Sequence, residues 1–515
     1  MVFLKSHREI VLIILFFWII YSYISIIKHL HYQTFTWDTG FFDQLLWKLS
    51  RFKEPVSSFS NLHVFGDHFQ FILLFFVPLY WLPQSIKLLF ITHALIAVIA
   101  SLPVYLISLK VNKLPRPERP RYSPLSLHER ADAPELGSMY SFFRIHPLTK
   151  SLGYSASEYK SKIFALAVSF SMLIFTGFQF AVLDGFHQSV FSPLFYALAI
   201  LGLVLRNSWI YWGSIFGLLI TKEEMALLAV SVGLIALILK DRIKGAITIF
   251  ASLAVFFFAV YFFLPAVQGE YVHSDYGVLG KTPLDVAESM LTKPALFLNL
   301  LLFPAAKART VLESFFSFGF LPILSPIYLI SAVQQFAVRF VDTVTVHRWV
   351  NLNHYVFPLA SIMAVAAIFS TATLQKIFKR AKNFCIFLAL YLVIFGLMQD
   401  YLFHGPVNSL LKADFYVKKQ WMRDNYEVLK YIPKGASVAA TNNLGPHISQ
   451  RDKFYLIMEE NSADYLLFDL EDSPNKYSPL DYSKTLIVFK KEIMSSRYEI
   501  IMQINNSFLL KRTDA

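Results

Sequence analysis

Long apolar segments are the feature that most constrains what this chain can fold into. Residues 9–27 (EIVLIILFFWIIYSYISII) are long enough to cross about 30 Å of hydrocarbon. Comparable segments lie at 85–109, 163–183, 189–205, 208–221, 225–239, 245–264, 354–374 and 383–400. Residues 295–340 are apolar but interrupted by prolines, which suits roughly two or three short or kinked segments. The pattern predicts a polytopic all-α membrane protein with about ten to twelve spans.

Composition and charge agree with this interpretation. The chain is 56% hydrophobic and 16% charged, whereas soluble domains have about 25% charged residues. The formal net charge is +12, but from His404 onward the chain has 15 basic and 14 acidic residues. The excess therefore lies in the hydrophobic part, which favours basic loops on one membrane side over nucleic-acid binding. The single cysteine, Cys385, excludes an intrachain disulfide and a thiolate zinc site.

The basic residues also predict an orientation. Lys5 and Arg8 precede the first segment, and no small-residue cleavage site follows it, so we expect a membrane anchor with a cytoplasmic N-terminus. Residues 28–84 then form the first outer loop, with an amphipathic helix and an interfacial helix at 69–82. Residues 110–162 contain ten Lys or Arg, five acidic residues and six prolines. This composition predicts a basic cytoplasmic insert. We expect multi-pass insertion in the plasma (inner) membrane, with the lipid bilayer as a partner and no nucleic acid.

The composition changes near Tyr401, which divides a transmembrane domain (1–403) from an extracytoplasmic α/β domain (404–515). Residues 436–441, 453–458 and 463–470 have strand patterns, and a hairpin is expected at Asn505 and Asn506. Helices are expected at 414–431 and 481–495.

Acids and histidines recur at the predicted outer ends of separate segments. Ionisable side chains at membrane depth are costly, so they are functional candidates by default. We expect them to share one polar site at the outer face. The candidates are Asp38, Asp43, Asp67, His68, Asp184, His187, Lys222, Glu223, Glu224, His354 and Tyr355.

The candidate residues in the first outer loop could instead have purely structural roles. Asp38 or Thr39 could cap the amphipathic helix that follows, and Asp43 could serve that helix in the same way. Asp67-His68 could be a solvated turn.

The candidate residues after the first outer loop could also have purely structural roles. Asp184 and His187 could satisfy each other at a helix end. Lys222 and Glu223 could form an internal ion pair. His354-Tyr355 could be interfacial anchors.

The chemistry of these side chains suits transfer from a lipid phosphate. A carboxylate in a partly dry outer cleft can act as general base on a hydroxyl. Lysine and histidine near the interface can hold a phosphate group. Carboxylates with histidine could instead bind a divalent cation, although no fixed metal-binding spacing is present.

Several short motifs resemble one family. WDTGFFDQ, GDHFQFILLFFVPLYWL, LDGFH, KEEMAL and HYVFPL, together with IPKGASVAATNNLGPHISQR and ADYLLFDL, occur in this order. They resemble the polytopic membrane proteins of domain of unknown function 2079, a family that is similar to the GT-C glycosyltransferases. The GT-C resemblance implies lipid-linked donors, inversion at the anomeric centre, and an acidic residue in the first outer loop, here Asp38. The sequence departs from the pattern of the GT-C protein O-mannosyltransferases, because Asp67-His68 is contiguous and lacks the prolines that follow there. Asp38 also has no adjacent second acid; that acid is Asp43, Asp67 or absent.

These features lead to a GT-C-like hypothesis in which Asp38 is the general base. A sugar moves from a polyprenyl-phosphate donor to a glycan, lipid or protein acceptor. Asp67, His68 and Asp184 orient substrates or bind a metal. Lys222 and His354 contact the donor phosphate. The alternatives are a transporter or lipid flippase that uses the same acids and histidines, and a non-catalytic scaffold that binds through the α/β domain.

Overall fold

The computed structural model describes residues 7–112, 156–378, 383–471 and 478–513. Within them the chain is mostly helical, and a small sheet lies near the C-terminus. Residues 113–155, most of the predicted basic insert, lie outside the described residues, so the insert remains a prediction.

The α-helices of the described residues are numbered in chain order. Helices α1–α5 are Arg8–Leu30, Phe41–Ser50, Val64–Asp67, Ser85–Ile99 and Ser101–Val111. Helices α6–α12 are Ala156–Ile174, Thr176–Leu183, Ser192–Leu205, Ser208–Leu219, Glu223–Ile238, Arg242–Phe258 and Leu264–Gln268. Helices α13–α18 are Pro283–Thr292, Pro294–Leu302, Ala305–Phe316, Pro326–Phe340, Phe357–Ile377 and Phe384–Leu402. Helices α19 and α20 are Gln420–Leu429 and Tyr482–Met494.

Six helical stretches of the described residues are long and apolar enough to cross a membrane, by length and composition. They are Arg8–Leu30, Ser85–Val111, Gln188–Leu205, Arg242–Gln268, His354–Ile377 and Phe384–Leu402. Two helix pairs, α6/α7 and α14/α15, bend by 52° and 62°, and counting each as one span gives up to eight. The expected ten to twelve spans are not confirmed, because α9 and α10 have 12 and 16 residues, fewer than the roughly 20 that a span needs.

The bend between α6 and α7 interrupts the predicted span 163–183. Phe175 has non-helical backbone angles (φ −55°, ψ 118°), so the regular helix is interrupted there. Two buried glutamines replace them. Gln179 and Gln399 donate to the carbonyl oxygen of Ile174 at 2.7 and 2.9 Å, and Gln399 Oε1 accepts from the backbone N–H of Thr176 at 3.2 Å. The Ile174 carbonyl and the Thr176 N–H are therefore paired inside the protein, as an apolar environment requires.

Helix α17 is the most enclosed of the six candidate spans, with 83% of its apolar window buried. Alanine, serine and other small residues recur along 360–371 and let neighbouring helices approach closely. A 3₁₀ turn, His354–Val356, precedes it, so the packed core fixes the position of His354 and Tyr355.

The first predicted outer loop is mostly structured. Thr36–Gly40 forms a π-helical turn that leads into α2, and residues Phe71–Trp81 form a 3₁₀ helix that contains Pro78. The predicted short apolar helix at 69–82 is present in this form. The suggestion that Asp38 or Thr39 caps α2 is wrong, because Gly40 occupies the N-cap position and no side chain caps the helix.

The C-terminal residues form the expected small sheet. Strands β1–β5 are Val438–Ala440, Phe454–Leu456, Tyr465–Asp469, Tyr498–Ile504 and Ser507–Arg512. Their order is β2-β1-β3-β5-β4; β1 pairs in parallel with β2 and β3, while β5 is antiparallel to β3 and β4. The predicted strands and hairpin are thus present, and the helix expected from 414 begins only at Gln420.

The loop after β1 packs on the Thr36–Gly40 turn. Thr36 donates from its backbone N–H to Asn442 Oδ1 and from its hydroxyl to the Asn442 carbonyl, both at 3.0 Å. Ser58 donates to the carbonyl oxygen of Phe454 at 2.5 Å. The sheet and the loop after β1 therefore contact the first loop directly.

The α8–α9 hairpin allows a test of close helix packing. A Cβ atom at Gly202 would lie 2.7 Å from the backbone nitrogen of Tyr211. Gly202→Ala should therefore destabilise the protein by about 1–3 kcal/mol through overpacking, measured as a lower Tm in detergent. Gly213→Ala is the matched control, because a Cβ atom there meets nothing within 4 Å. Equal Tm values for the two variants would contradict the packing.

Candidate functional site

Two neighbouring groups of acids and histidines lie near the ends of the helices. The Asp38 group consists of Asp38, Asp184, His187 and His354. The Asp67 group consists of Asp67, His68, Glu223 and His273. Chain segments far apart in sequence supply each group, and the bend at Phe175, the first loop and the start of α17 position them.

Asp38 has an unusual backbone conformation. Its angles (φ 70°, ψ −85°) resemble those of the rare, strained γ-turn. Such conformations cost on the order of 1–3 kcal/mol and concentrate at functional sites. The turn at Gly185 (φ +113°) packs against it, and a Cβ atom at Gly185 would lie 2.7 Å from Thr39 Oγ1. The Asp38 side chain remains 27% exposed.

The rest of the Asp38 group lies beside this carboxylate. His187 Nε2 is 3.7 Å from Asp38 Oδ2, and His354 Nδ1 is 3.5 Å from Asp184 Oδ2. The two imidazole rings stack with their centroids 3.4 Å apart. The backbone N–H of His354 donates to Asp184 Oδ2 at 3.3 Å. His187 thus approaches Asp38, rather than only Asp184 as the capping interpretation supposed.

The Asp67 group is closed by hydrogen bonds. His68 Nδ1 lies 2.8 Å from Glu223 Oε1, and His273 Nε2 lies 3.0 Å from Asp67 Oδ1. The other Glu223 oxygen accepts from the backbone N–H of Phe69 at 3.0 Å. Asp67 and His68 are buried, so the solvated-turn interpretation is wrong. Burial, followed by the charge of Lys222, holds the pKa of His68 well below its usual value.

Tyr355 links His354 of the Asp38 group to two cations, Lys222 and Arg348. It follows His354, and its ring lies beneath Lys222 Nζ (5.7 Å) and Arg348 Cζ (4.8 Å). Lys222 pairs with Glu224 at 3.2 Å rather than forming the predicted pair with Glu223. Burial opposes the charge of Lys222, but Glu224 and Glu223 outweigh it and raise its pKa. The described residues thus include two cations on the face of one tyrosine.

Arg348 is held by carboxylates on two elements. Its guanidinium lies 3.0 Å from Asp342 Oδ2 and 3.6 Å from Glu224 Oε2. The sequence interpretation missed Arg348, Asp342 and His273. The available signal for His273 and Arg348 was the runs EYVHSDY and VHRWVNLNHY, since each contains charged or histidine residues beside apolar segments, whereas Asp342 lies outside both runs.

Asp43 lies in a different environment from the other candidates. It accepts hydrogen bonds from Tyr80 Oη (2.8 Å), Ser449 Oγ (2.5 Å) and Gln450 Nε2 (3.0 Å). These partners come from the 3₁₀ helix and from the loop after β1. Asp43 therefore joins α2 to the sheet and is not brought into the Asp38 or Asp67 group.

Comparison with known families gives one match. A profile described as a predicted membrane protein, DUF2079, matches residues 28–122 and 145–509. The chain belongs to the DUF2079 family. No curated protein matches the chain at a significant level. The family description agrees with the apolar helices and names no activity, so the interpretation of the polar groups depends on their geometry.

The arrangement offers a carboxylate base, fixed positive charge and two sets of possible metal ligands. Asp38 offers a partly exposed carboxylate, and Lys222 with Arg348 offers fixed positive charge. The donor atoms of Asp184, His187 and His354 lie within 4.8 Å of one another, as do those of Asp67, His68 and His273. Either set has the ligand types of a divalent metal site.

Asp43 should make the stability of this DUF2079 protein depend on pH. Burial raises its pKa from 3.8 to about 6, although Ser449, Tyr80 and Gln450 oppose the shift. The folded state thus holds this proton more tightly than the unfolded chain. Asp43 therefore makes its full contribution to the free energy of unfolding below about pH 4, and this contribution is lost as the pH rises through about 6. The free energy of unfolding changes by an amount on the order of 3 kcal/mol.

Asp43→Asn tests this expectation, because the amide stays neutral. The wild-type Tm should fall relative to the Asp43→Asn Tm between pH 5 and pH 7.5. Asp414→Asn, which removes an exposed acid, should follow the wild-type curve. Parallel curves for wild type and Asp43→Asn would contradict a raised pKa.

Proposed function

We propose that the protein is a GT-C-like integral membrane glycosyltransferase that moves a sugar from a polyprenyl-phosphate donor to an acceptor hydroxyl at the outer face. The observation that supports this most is the chain of contacts from Asp38 through His187, His354 and Tyr355 to Lys222 and Arg348. These contacts form one polar band, which supports a proposal with Asp38 as the base and Lys222 and Arg348 as the cations that bind the phosphate.

Asp38 is the proposed general base. Its carboxylate is partly exposed, so an acceptor hydroxyl can reach it, while His187 is nearly buried behind it. The strained turn and the close approach of Gly185 hold the carboxylate in place. A fixed carboxylate that accepts the hydroxyl proton as the oxygen attacks the anomeric carbon contributes about 10²–10⁴ to the rate.

Lys222 and Arg348 are the proposed ligands of the donor phosphate. The apolar 3₁₀ helix Phe71–Trp81 lies near Lys222, since the backbone N–H of Ile72 donates to the carbonyl of Ile220, two residues before Lys222, at 3.0 Å. This helix exposes Phe75 and Trp81. A polyprenyl chain lying on this surface would place its phosphate near Lys222.

The remaining candidates act around this centre in the proposal. Asp67, His68 and Asp184 orient the substrates, with His68 held by Glu223. His354 positions Tyr355 and contributes to the donor site. The acceptor is a hydroxyl of a glycan, lipid or protein.

The proposed topology places this centre outside the cytoplasm. Basic loops are expected inside, with the N-terminus cytoplasmic and the chain in the plasma (inner) membrane. Because the sheet contacts the Thr36–Gly40 turn, we propose that domain 404–515 lies on the same, outer side. The transmembrane domain 1–403 would have ten to twelve spans if its short helices also insert.

Asp38→Asn tests the chemistry. The purified protein in lipid nanodiscs is given labelled polyprenyl-phosphate sugars, and the loss of donor and the appearance of free polyprenyl phosphate are measured. The variant should lose about 10²–10⁴-fold in turnover while keeping the wild-type Tm and donor binding.

Asp414→Asn is the matched control, because it removes one exposed acid outside the polar band. It should retain wild-type turnover. Full activity of Asp38→Asn would remove Asp38 from the mechanism. A wild-type protein that releases no polyprenyl phosphate from any donor sugar would contradict the transferase.

A transporter or lipid flippase is the second candidate. The two helix pairs bent by 52° and 62° support it, because broken helices line the substrate sites of many transporters. Uptake into proteoliposomes that requires a proton gradient, without donor consumption, would favour this candidate.

A further inference from the structure

We infer that Asp184, His187 and His354 bind one divalent transition-metal ion, with Asp38 beside it. Ion binding does not depend on the proposed transferase activity. Three separate elements supply the ligands: the end of α7, the segment before Ser192 and the turn before α17.

Two buried nitrogen atoms without hydrogen-bond partners support this inference. His187 Nε2 and His354 Nδ1 are inaccessible and have no hydrogen-bond partner among the described residues. The side chain of His187 is only 4% exposed. A buried polar atom that lacks a partner costs about 1–3 kcal/mol, so a ligand that satisfies both atoms would be stabilising.

The distances suit ion coordination better than hydrogen bonding. His354 Nδ1 and Asp184 Oδ2 are 3.5 Å apart, and His187 Nε2 and Asp38 Oδ2 are 3.7 Å apart. Both exceed the ordinary hydrogen-bond range of about 2.7–3.2 Å. Two ligands at about 2.1 Å from one tetrahedral zinc ion are about 3.4 Å apart. The His187 and His354 rings stack with 21° between their planes, so one ring would have to turn for both nitrogens to face one ion.

The histidines of the Asp67 group differ, because each already has a short contact with a carboxylate oxygen. They lie 2.8 and 3.0 Å from carboxylate oxygens, within hydrogen-bond range. One ring nitrogen of each histidine is already used, Nδ1 of His68 and Nε2 of His273, and an ion bound by His273 Nε2 and Asp67 Oδ1 would have to replace the bond between them. The Asp38 group is therefore the preferred site.

The ligand types select the class of ion. Imidazole nitrogen with carboxylate oxygen suits Zn²⁺ and similar transition metals, whereas Mg²⁺ and Ca²⁺ prefer oxygen ligands only. Asp38 and Asp184 supply negative charge that balances the charge of the ion.

An ion at this position would also affect transfer. It could polarise a phosphate or hydroxyl oxygen next to Asp38. This role rests on the proposed function, whereas the binding does not, so the two are measured separately.

Metal binding is tested on the full-length protein without a polyhistidine tag. The purified protein is stripped with a chelator, the chelator is removed, and Zn²⁺ is titrated by calorimetry, with the bound metal counted by mass spectrometry. We expect a site for one ion per chain that excess Mg²⁺ does not displace. Co²⁺ in its place should give visible absorption bands typical of a nitrogen and oxygen site.

The variants locate the ion. His187→Ala and His354→Ala should each weaken Zn²⁺ binding at least about 100-fold, since even residues that only orient the ligands contribute 10–100-fold. His404→Ala, an exposed histidine, should bind Zn²⁺ as wild type does. His273→Ala, in the Asp67 group, should do the same.

Two results would overturn the inference. The first is a stripped wild-type protein that binds neither Zn²⁺ nor Co²⁺, which needs no variant. The second is loss of binding in His273→Ala with binding kept in His187→Ala, which would assign the ion to the Asp67 group. Metal binding with no polyprenyl phosphate release would support the ion site and contradict only the transferase.

Discussion

The need to pair every backbone polar group inside an apolar core governs the centre of this structure. The chain stops being helical at Phe175, and Gln179 and Gln399 take over the hydrogen bonds that the helix loses. Without those side chains, the Ile174 carbonyl and the Thr176 N–H would be unpaired in an apolar core, at a cost of several kcal/mol each. The break redirects α7, and Asp184 lies at its end. The Asp38 group therefore depends on two glutamines that belong to neither polar group.

Local patterns explain what could be predicted. The apolar segments mark their helices, and short apolar runs mark the strands at 438–440, 454–456 and 465–469, because burial acts on residues close together in sequence. The placement of acids and histidines also identified most members of the two polar groups. The number of spans was less predictable, since an apolar segment does not reveal where its helix bends or ends.

The features that could not be predicted from the sequence depend on long-range contacts. His273 meets Asp67 across 206 positions of the chain, and nothing in EYVHSDY indicates that partner. Asp38 and Asp43 share the motif WDTGFFDQ, yet one lies on a strained turn and the other on a helix face covered by Ser449 and Gln450. A motif groups residues by sequence, whereas the backbone direction decides which of them share an environment.

The contact between the first loop and the sheet has a consequence for exchanging parts among family members. Thr36, Gln44 and Ser58 bond with Asn442, Arg451 and Phe454, respectively. The two segments therefore form one complementary surface, although about 400 residues separate them along the chain. A chimera that imports only the C-terminal region would mismatch this surface two residues before Asp38. Segments 36–58 and 436–456 should be transplanted together if the hybrid is to keep its geometry.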